Sequence, residues 1–238
     1  MTAQPPRWRF PLSVYGEGQG GGVSSLRPGH YPVIVADPPW DFVTYSDKGQ
    51  GKCAQQHYPT MSVDEIAALP VSEIAADDCI LLLWATGPNL PNCILTGIKW
   101  GFSWVTIGFP WFKRSLNGKS WHMGLGYYTR ANSEYCLLMK RGNPQRKSAG
   151  VQSLIVTDAG QDMLPGFHEA LTDRVGRHSA KPETFYKRVE QLFDGPYLEL
   201  FGRRERPGWT VLGNEIDDQD IRAALLCEIE SLLVEDKP

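Results

Sequence analysis

Long apolar runs are scarce in this chain of 238 residues. The longest covers only residues 79–85, whereas a helix that crosses a bilayer needs about 20 predominantly apolar residues. The first ten residues contain two arginines and two prolines but no apolar stretch of the kind found in a secretion signal. We therefore expect a cytoplasmic protein that does not contact a membrane.

Cysteine and histidine are also few and widely scattered. The five cysteines form no CxxC pair, and none of the five histidines belongs to an HExxH sequence. The spacings that usually hold a structural or catalytic zinc ion are therefore absent from the sequence. We expect reduced thiols, most of them in the core, and no bound metal.

Positive charge is concentrated in one part of the sequence. The formal net charge of -3 does not suggest a protein that binds nucleic acid over its whole surface. A docked polyanion needs basic residues only on the docking face, so a local basic segment predicts a nucleic-acid contact there. A basic loop that is merely solvated explains the charge equally well. The segment has one acid, Glu134, and eight basic residues: Lys113, Arg114, Lys119, Arg130, Lys140, Arg141, Arg146 and Lys147.

Apolar runs typical of strands alternate with segments of helical period, which predicts an α/β fold with a largely parallel sheet. Ser62 and Glu65 have the spacing of a capping box and predict the start of one helix. Pro88 and Pro182 suit the first turns of two others. The predicted strands are 31–36, 79–85, 102–112, 134–140, 151–156, 197–202 and 209–212, and the later helices are about 88–100, 182–194 and 218–234.

No linker divides the chain, so residues 1–238 are predicted to form a single domain. Within it we expect an N-terminal extension over residues 1–30, a basic loop region for nucleic acid over residues 113–150 and a C-terminal helix within residues 216–238. That helix packs on its own domain or supports a homodimer. The glycine-rich residues 16–22 follow no strand and precede no helical pattern, so we interpret them as a flexible loop.

Asp37, Pro38, Pro39 and Trp40 directly follow the first predicted strand, where ligands bind in open α/β sheets. An exocyclic aromatic amine is a poor nucleophile, so an enzyme that modifies it must hold both N–H groups with acceptors. Asp37 supplies one acceptor, and the stiff turn that the prolines impose can present the Pro38 carbonyl as the second. Trp40 offers a flat face on which a base can stack. A rigid turn with a core tryptophan is the structural alternative.

Several further motifs occur in a defined order between residues 31 and 216. With the tetrapeptide, they resemble those of the MT-A70-like N6-adenine methyltransferases, in particular the compact bacterial and phage members. The motifs are Ala36–Trp40, His57–Met61, Leu82–Trp84, Gly124–Tyr127 with Arg130 and Glu134, Lys181–Pro182, Glu199–Arg203, Pro207–Trp209 and Gly213–Glu215.

The resemblance implies a class I S-adenosylmethionine-dependent methyltransferase fold, which is Rossmann-like, with the motifs in permuted order. The catalytic residues would then be Asp37, Pro38, Pro39 and Trp40, and the substrate would be adenine in nucleic acid. The compact pattern favours DNA over RNA. Residues implied to bind S-adenosylmethionine are Asp37, Lys181, Glu199, Phe201, Gly202, Arg203, Asn214 and Glu215.

Aromatic and basic residues near the basic segment are candidates for binding the nucleic acid, because bases stack on aromatic rings and phosphates pair with cations. For each aromatic residue taken alone, packing in the core is an equally good explanation. The candidate substrate-binding residues are Tyr58, Lys113, Arg114, Lys119, Tyr127 and Arg130, and Trp111, Trp121 and Tyr128 are further possible stacking surfaces.

The sequence departs from the family pattern at two positions. Ala180 precedes Lys181 where a basic residue is expected, and Gly202 stands where alanine is common. Two other functions fit parts of the sequence: a catalytically silent nucleic-acid-binding subunit, and a dinucleotide-dependent oxidoreductase. The intact tetrapeptide disfavours the first, and the absence of a strand followed by GxGxxG and a helix disfavours the second.

Overall fold

The computed structural model describes residues 30–41, 60–115, 120–124, 126–157, 181–214, 216 and 220–235. The strands in these ranges form one seven-stranded sheet with the order β5-β3-β4-β2-β1-β6-β7. The strands are β1 (Tyr31–Ala36), β2 (Ala75–Thr86), β3 (Ser103–Lys113), β4 (Ser133–Arg141), β5 (Ile155–Thr157), β6 (Tyr197–Leu200) and β7 (Trp209–Leu212). The helices are α1 (Val63–Ala67), α2 (Val71–Ile74), α3 (Leu90–Lys99), α4 (Glu183–Leu192) and α5 (Ile221–Glu235), with a 3-10 turn at Gly87–Asn89.

The sheet is largely parallel, as the sequence predicted. Strand β1 runs parallel to β2 and β6, β6 runs parallel to β7, and β3 runs parallel to β5. Only β4 runs antiparallel to its two neighbours. The carboxyl ends of the other strands and the amino end of β4 therefore meet along one side of the sheet, which we call the carboxyl edge. Asp37 follows β1 and Glu199 lies in the adjacent β6, so two predicted site segments meet there.

Helices cover both faces of the sheet, because alternate strand residues point to opposite sides. On one face, Ile34 of β1 and Leu81 of β2 belong to a core that includes residues of α1, α2, α3 and α5. On the other face, Val35 and Leu82 belong to a second core with Phe185 of α4. This three-layer packing confirms the predicted α/β fold class.

Local sequence signals account for the start of α1. The Ser62 hydroxyl accepts a hydrogen bond from the Glu65 N–H at 3.3 Å, and the Glu65 carboxylate accepts one from the Ser62 N–H at 2.8 Å. These two bonds confirm the predicted capping box. Pro182 lies one residue before α4, at its N-cap rather than in its first turn. The short helix α2 was not predicted.

Strand β5 is shorter than predicted and begins at Ile155 rather than at residue 151. The Arg188 guanidinium of α4 donates to the carbonyls of Gln152 and Leu154, at 2.9 and 2.6 Å. The residues before β5 are thus held by a side chain of another element, a contact that the local sequence does not show.

The last helix packs on its own domain, which is one of the two roles that the sequence left open. Ile221 and Leu225 of α5 are buried in the first core, and the Tyr31 hydroxyl of β1 lies 2.5 Å from Glu228 Oε1. The suggested homodimer stays a prediction. In the described parts of the chain, no helix combines the length and apolar character needed to span a membrane.

Candidate active site

The residues that follow β1 form a tight turn at the carboxyl edge. The Asp37 N–H donates to the carbonyl at the end of β6 at 3.3 Å, and the Trp40 N–H donates to the Pro38 carbonyl at 2.8 Å. The Pro39 carbonyl accepts a hydrogen bond from the Met61 N–H at 3.1 Å. Main-chain bonds to two other segments therefore fix the turn, and the Pro38 oxygen keeps a second lone pair for another donor.

Four side chains of alternating charge lie next to one another at this turn. Lys181 Nζ is 2.6 Å from Asp37 Oδ2 and 3.1 Å from Glu134 Oε2, and the other oxygen of Glu134 pairs with Lys113. Only 4% of the Lys181 side chain and 16% of the Glu134 side chain are exposed. The two negative carboxylates and the two positive ammonium groups have equal and opposite total charge. Each buried charge therefore has a partner of opposite sign, without which its burial would be costly. We call these residues the charge network.

The network controls the protonation of its members. Burial raises the pKa of Asp37, although Lys181 lowers it. Burial also raises the pKa of Glu134, but Lys181 and Lys113 outweigh this and bring the pKa to about 2. Burial lowers the pKa of Lys181, whereas Asp37 and Glu134 together hold it well above its ordinary value. At neutral pH Lys181 is therefore a cation, and its charge helps Asp37 to stay an anion despite burial.

Two predicted roles differ from what the structure shows. Trp40 is only 7% exposed and belongs to the core, and its indole N–H donates to the Trp84 carbonyl at 2.8 Å. The ring anchors the turn from inside and does not offer the open stacking face that the sequence suggested. Lys113, expected at a phosphate, is bound to Glu134, so its charge is already balanced within the network.

A second buried cluster surrounds Glu199 of β6. The Tyr186 hydroxyl of α4 donates to Glu199 Oε1 at 2.6 Å. The Arg206 guanidinium lies over the Tyr186 ring, 3.3 Å from its centroid. Arg206 Nε lies 3.8 Å from Glu199 Oε2, and Arg206 Nη1 donates to Glu183 Oε1 at 2.5 Å. These contacts give the buried carboxylate the partners that its position in an apolar strand requires. Burial nevertheless raises the pKa of Glu199.

Strand β6 ends at Leu200 rather than at residue 202, because Phe201 has a φ of 65° in the left-handed region. Arg203 follows in a half-buried position, and its charge lowers the pKa of Asp37. Asn214 lies exposed just beyond β7. The predicted cofactor residues Asp37, Glu199, Arg203 and Asn214 therefore share the carboxyl edge, at the ends of three adjacent strands.

Two glycines allow the ends of β6 and β7 to approach each other closely. A Cβ atom at Gly213 would lie 2.1 Å from the Gly202 carbonyl oxygen. A Cβ atom at Gly202 would lie 2.1 Å from Val211 Cγ1, and 3.4 Å from the Glu199 carboxyl carbon. The glycine at position 202, a departure from the family pattern, therefore fits the neighbouring valine in this chain.

Alanine substitutions at these glycines should have unequal effects. Gly213→Ala should lower the free energy of unfolding by about 2 to 3 kcal/mol, because the clash is with backbone that cannot rotate away. Gly202→Ala should cost about 1 kcal/mol, because the half-buried Val211 side chain can turn aside. Urea denaturation of the two variants measures this order. The double variant Gly202→Ala, Val211→Ala should regain stability relative to Gly202→Ala, and a further loss would contradict the proposed contact.

The loop between β3 and β4 extends beyond the carboxyl edge and carries exposed aromatic side chains. Main-chain bridges join Arg114 to Trp121 and Gly124 to Ala131, and the Arg114 guanidinium lies 5.6 Å from the centroid of the Trp121 ring. The loop therefore provides cations and aromatic rings beside the charge network. Its exposed members include Trp121, Met123, Tyr127, Tyr128 and Arg130.

The basic segment does not form one continuous face, contrary to prediction. Glu134 pairs with Thr86 at the carboxyl edge, whereas Arg141 pairs with Cys79, about 24 Å away at 3.4 Å per residue. Of the described basic residues of this segment, only Lys113, Arg114 and Arg130 lie at the carboxyl edge. The four later ones lie towards the opposite edge, where Arg141 pairs with Asp77 and Lys147 pairs with Asp194. The region 113–150 thus includes a whole strand and two separate basic surfaces.

Some predicted site residues, namely Tyr58, Lys119 and Glu215, lie outside the described residues, as do Ala180 and residues 16–22. Two contributors to the site were missed from the sequence, Tyr186 and Arg206. A signal existed for the first: Tyr186 lies three residues after Glu183 on the same helical face, which positions both side chains over one neighbouring segment. In the sequence, Glu134 stands out only as the single acid of the basic segment and as part of a family motif.

Comparison with known proteins identifies what the chain is similar to. A family model described as MT-A70 matches residues 31–215. The type II methyltransferase M.MunI from Mycoplasma sp is 33% identical over 218 residues, which cover 84% of this chain and 84% of that protein. The N(6)-adenosine-methyltransferase catalytic subunit METTL3 from Homo sapiens is 28% identical over 196 residues, which cover 79% of this chain.

The two kinds of relative differ in how much of their length is matched. The N(6)-adenosine-methyltransferase MT-A70-like protein from Drosophila melanogaster is 29% identical over 196 residues, which cover 79% of this chain. The matched residues make up 27% of that protein and 29% of human METTL3. This chain thus spans under a third of the length of those eukaryotic relatives. Its length corresponds much more closely to that of M.MunI.

Proposed function

This chain belongs to the MT-A70 family of S-adenosylmethionine-dependent adenine-N6 methyltransferases, and we propose that it methylates the N6 amino group of adenine in DNA. The observation that carries this proposal is the ion pair of 2.6 Å between Lys181 and Asp37 at the carboxyl edge. It holds one carboxylate oxygen of the tetrapeptide turn and leaves the other for a substrate amine.

The site is suited to binding and orienting an aromatic amine. Asp37 Oδ1 and the second lone pair of the Pro38 carbonyl can accept the two N–H groups of adenine N6. Both acceptors are fixed before the substrate arrives, Asp37 by Lys181 and Pro38 by the bonded turn, so little reorganisation accompanies the reaction. No strong base is required, because the extra proton of the methylated amine can leave after the methyl group has been transferred.

The residues around β6 and β7 fit S-adenosylmethionine. The buried Glu199 carboxylate and the Asn214 amide suit the hydroxyl groups of a ribose, and the Arg203 cation suits a carboxylate. Lys181, also expected at the cofactor, is already paired with Asp37 and Glu134. Glu199 Oε1 already accepts from Tyr186, which orients the carboxylate for a ligand on its remaining lone pairs. When bound, the cofactor supplies the electrophilic methyl group. The permuted motif order of the family stays a prediction for this chain.

DNA is favoured over RNA as the polymer. The chain is 33% identical to the type II methyltransferase M.MunI over 84% of that protein's length, but 28 to 29% identical to the N(6)-adenosine enzymes over under a third of theirs. The greater likeness to a type II methyltransferase supports DNA. The exposed cations and rings of the β3–β4 loop, Arg130 and Trp121 among them, support docking of a nucleic acid at the carboxyl edge. Tyr127 belongs to the same surface.

We expect the wild-type protein to transfer labelled methyl from S-adenosylmethionine to adenine in DNA at least about tenfold faster than to adenine in RNA of matched sequence. Chromatography of the hydrolysed product against N6-methyladenine identifies the modified atom. Transfer to RNA alone would contradict the choice of polymer but not the reaction. A protein that binds DNA yet binds no S-adenosylmethionine in calorimetry would instead be a silent subunit.

A further inference from the structure

The turn at residues 127–129 combines a strained backbone with a fully exposed aromatic ring. Tyr128 has a φ of 62°, in the left-handed region that residues other than glycine rarely adopt. The Thr129 N–H donates to the Tyr127 carbonyl at 2.6 Å and closes the turn. Tyr128 is fully exposed. Strain of this kind is concentrated at ligand-binding sites, and a fully exposed ring adds nothing to the core.

Main-chain bonds hold the described residues on either side of this turn and join them to the charge network. The Gly124 N–H donates to the Ala131 carbonyl at 2.7 Å, and the His122 N–H donates to the Lys113 carbonyl at 2.9 Å. Lys113 in turn pairs with Glu134. The ring of Tyr128 is therefore presented from a preformed support that begins at the site itself.

Chain geometry keeps the ring close to the candidate active site. Tyr128 is six residues from Glu134, a separation that spans at most about 22 Å, and Glu134 contacts Lys181 beside Asp37. The exposed Arg130 lies between them in the chain and can meet a phosphate. A duplex whose adenine entered the site would therefore lie within reach of the Tyr128 ring.

We propose that Tyr128 stacks into the space that the target adenine leaves when it rotates out of a DNA duplex. The inference rests on the proposed function and adds a residue that acts on the substrate duplex and not at the reacting atoms. An enzyme that modifies an adenine amine in duplex DNA must unstack and unpair that base first. A ring that takes its place between the neighbouring bases offsets part of that cost. The exposure of the ring and its rigid turn suit this role.

The test compares methyl transfer to one plasmid DNA in native form and after heat denaturation. Tyr128→Ala should lower the ratio of the native rate to the denatured rate about tenfold, in line with the loss of one stacked base. Tyr128→Phe and Tyr128→Trp should keep the wild-type ratio. Tyr128→Gly relieves the backbone strain but lacks the ring, so it should behave like alanine. Met123→Ala, on the same loop, is the matched control and should keep the ratio.

Three results would overturn the role of Tyr128. The ratio of native to denatured rate could stay unchanged in Tyr128→Ala, it could return to the wild-type value in Tyr128→Gly, or it could fall in Met123→Ala and not in Tyr128→Ala. Failure of the proposed function has a different signature, because the wild-type protein would then methylate neither form of the DNA. Calorimetric binding of S-adenosylmethionine by each variant shows that it is folded, since Tyr128 makes no part of that site.

Discussion

Asp37→Asn should lower kcat/KM for methyl transfer by about 10³-fold at neutral pH, the scale of losing one preorganised hydrogen-bonding group. The Lys181 ammonium, which only donates, lies 2.6 Å from one oxygen of Asp37 and would select the carbonyl oxygen of asparagine. The NH₂ group of the amide would then face the substrate amine, so that a donor would meet a donor. An isosteric substitution therefore removes the acceptor without creating a cavity.

The control for this variant is Asp64→Asn, at a carboxylate whose side chain is 93% exposed and which, among the described residues, pairs with Lys99 outside the charge network. It should keep the wild-type rate, because an exposed ion pair contributes little. Calorimetry with S-adenosylmethionine separates a loss of reaction from a loss of cofactor binding. Full activity in Asp37→Asn would show that this carboxylate does not hold the substrate amine.

Lys181→Met should lower activity at pH 7 by about 100-fold and lower the free energy of unfolding by about 3 to 5 kcal/mol. The stability loss follows because two carboxylates, Asp37 and Glu134, lose a shared buried partner. The activity loss has a separate cause. Lys181 lowers the pKa of Asp37 against the effect of burial, so its removal lets that pKa rise further and increases the protonated fraction of Asp37.

The sign of the pH dependence distinguishes this explanation from simple unfolding. Asp37 acts as an anion, so activity is present above its pKa and is lost as the pH falls through it. The pH profile of kcat/KM in Lys181→Met should therefore move to higher pH, with partial recovery of the rate in alkaline buffer. Lys147→Met is the matched control, since Lys147 pairs with Asp194 on the surface. A profile at the wild-type pH would contradict the electrostatic role of Lys181.

Features with a local cause were predictable from the sequence. Strand β1 has its predicted bounds, because six consecutive residues of strand character end at Asp37. The capping box at Ser62 is confirmed, because its two partners are three residues apart. The position of the tetrapeptide at a sheet edge followed from the general geometry of parallel sheets. The family was recognisable because its motifs occur in order along the chain.

The partners of the site residues were not predictable in this way. Glu134, Lys181 and Asp37 are separated by tens of residues. Only the folded sheet, in which β2 alone lies between β4 and β1, brings these three side chains into contact. The same is true of Tyr186 at Glu199. Trp40 was expected to offer a stacking face, with a core position as the alternative, and the structure has it in the core. Burial depends on what packs around a side chain, which its immediate neighbours in sequence do not specify.

The sequence by itself thus determined the α/β class, most strand positions, the family and the residue types of the site, since each depends on neighbours or on spacing along the chain. The tertiary structure alone decided which charges pair, where the basic segment divides and that Tyr128 stands exposed on a strained turn. The physical reason is that electrostatic pairing and burial act through space over a few ångströms, and only the folded sheet brings distant residues within that range.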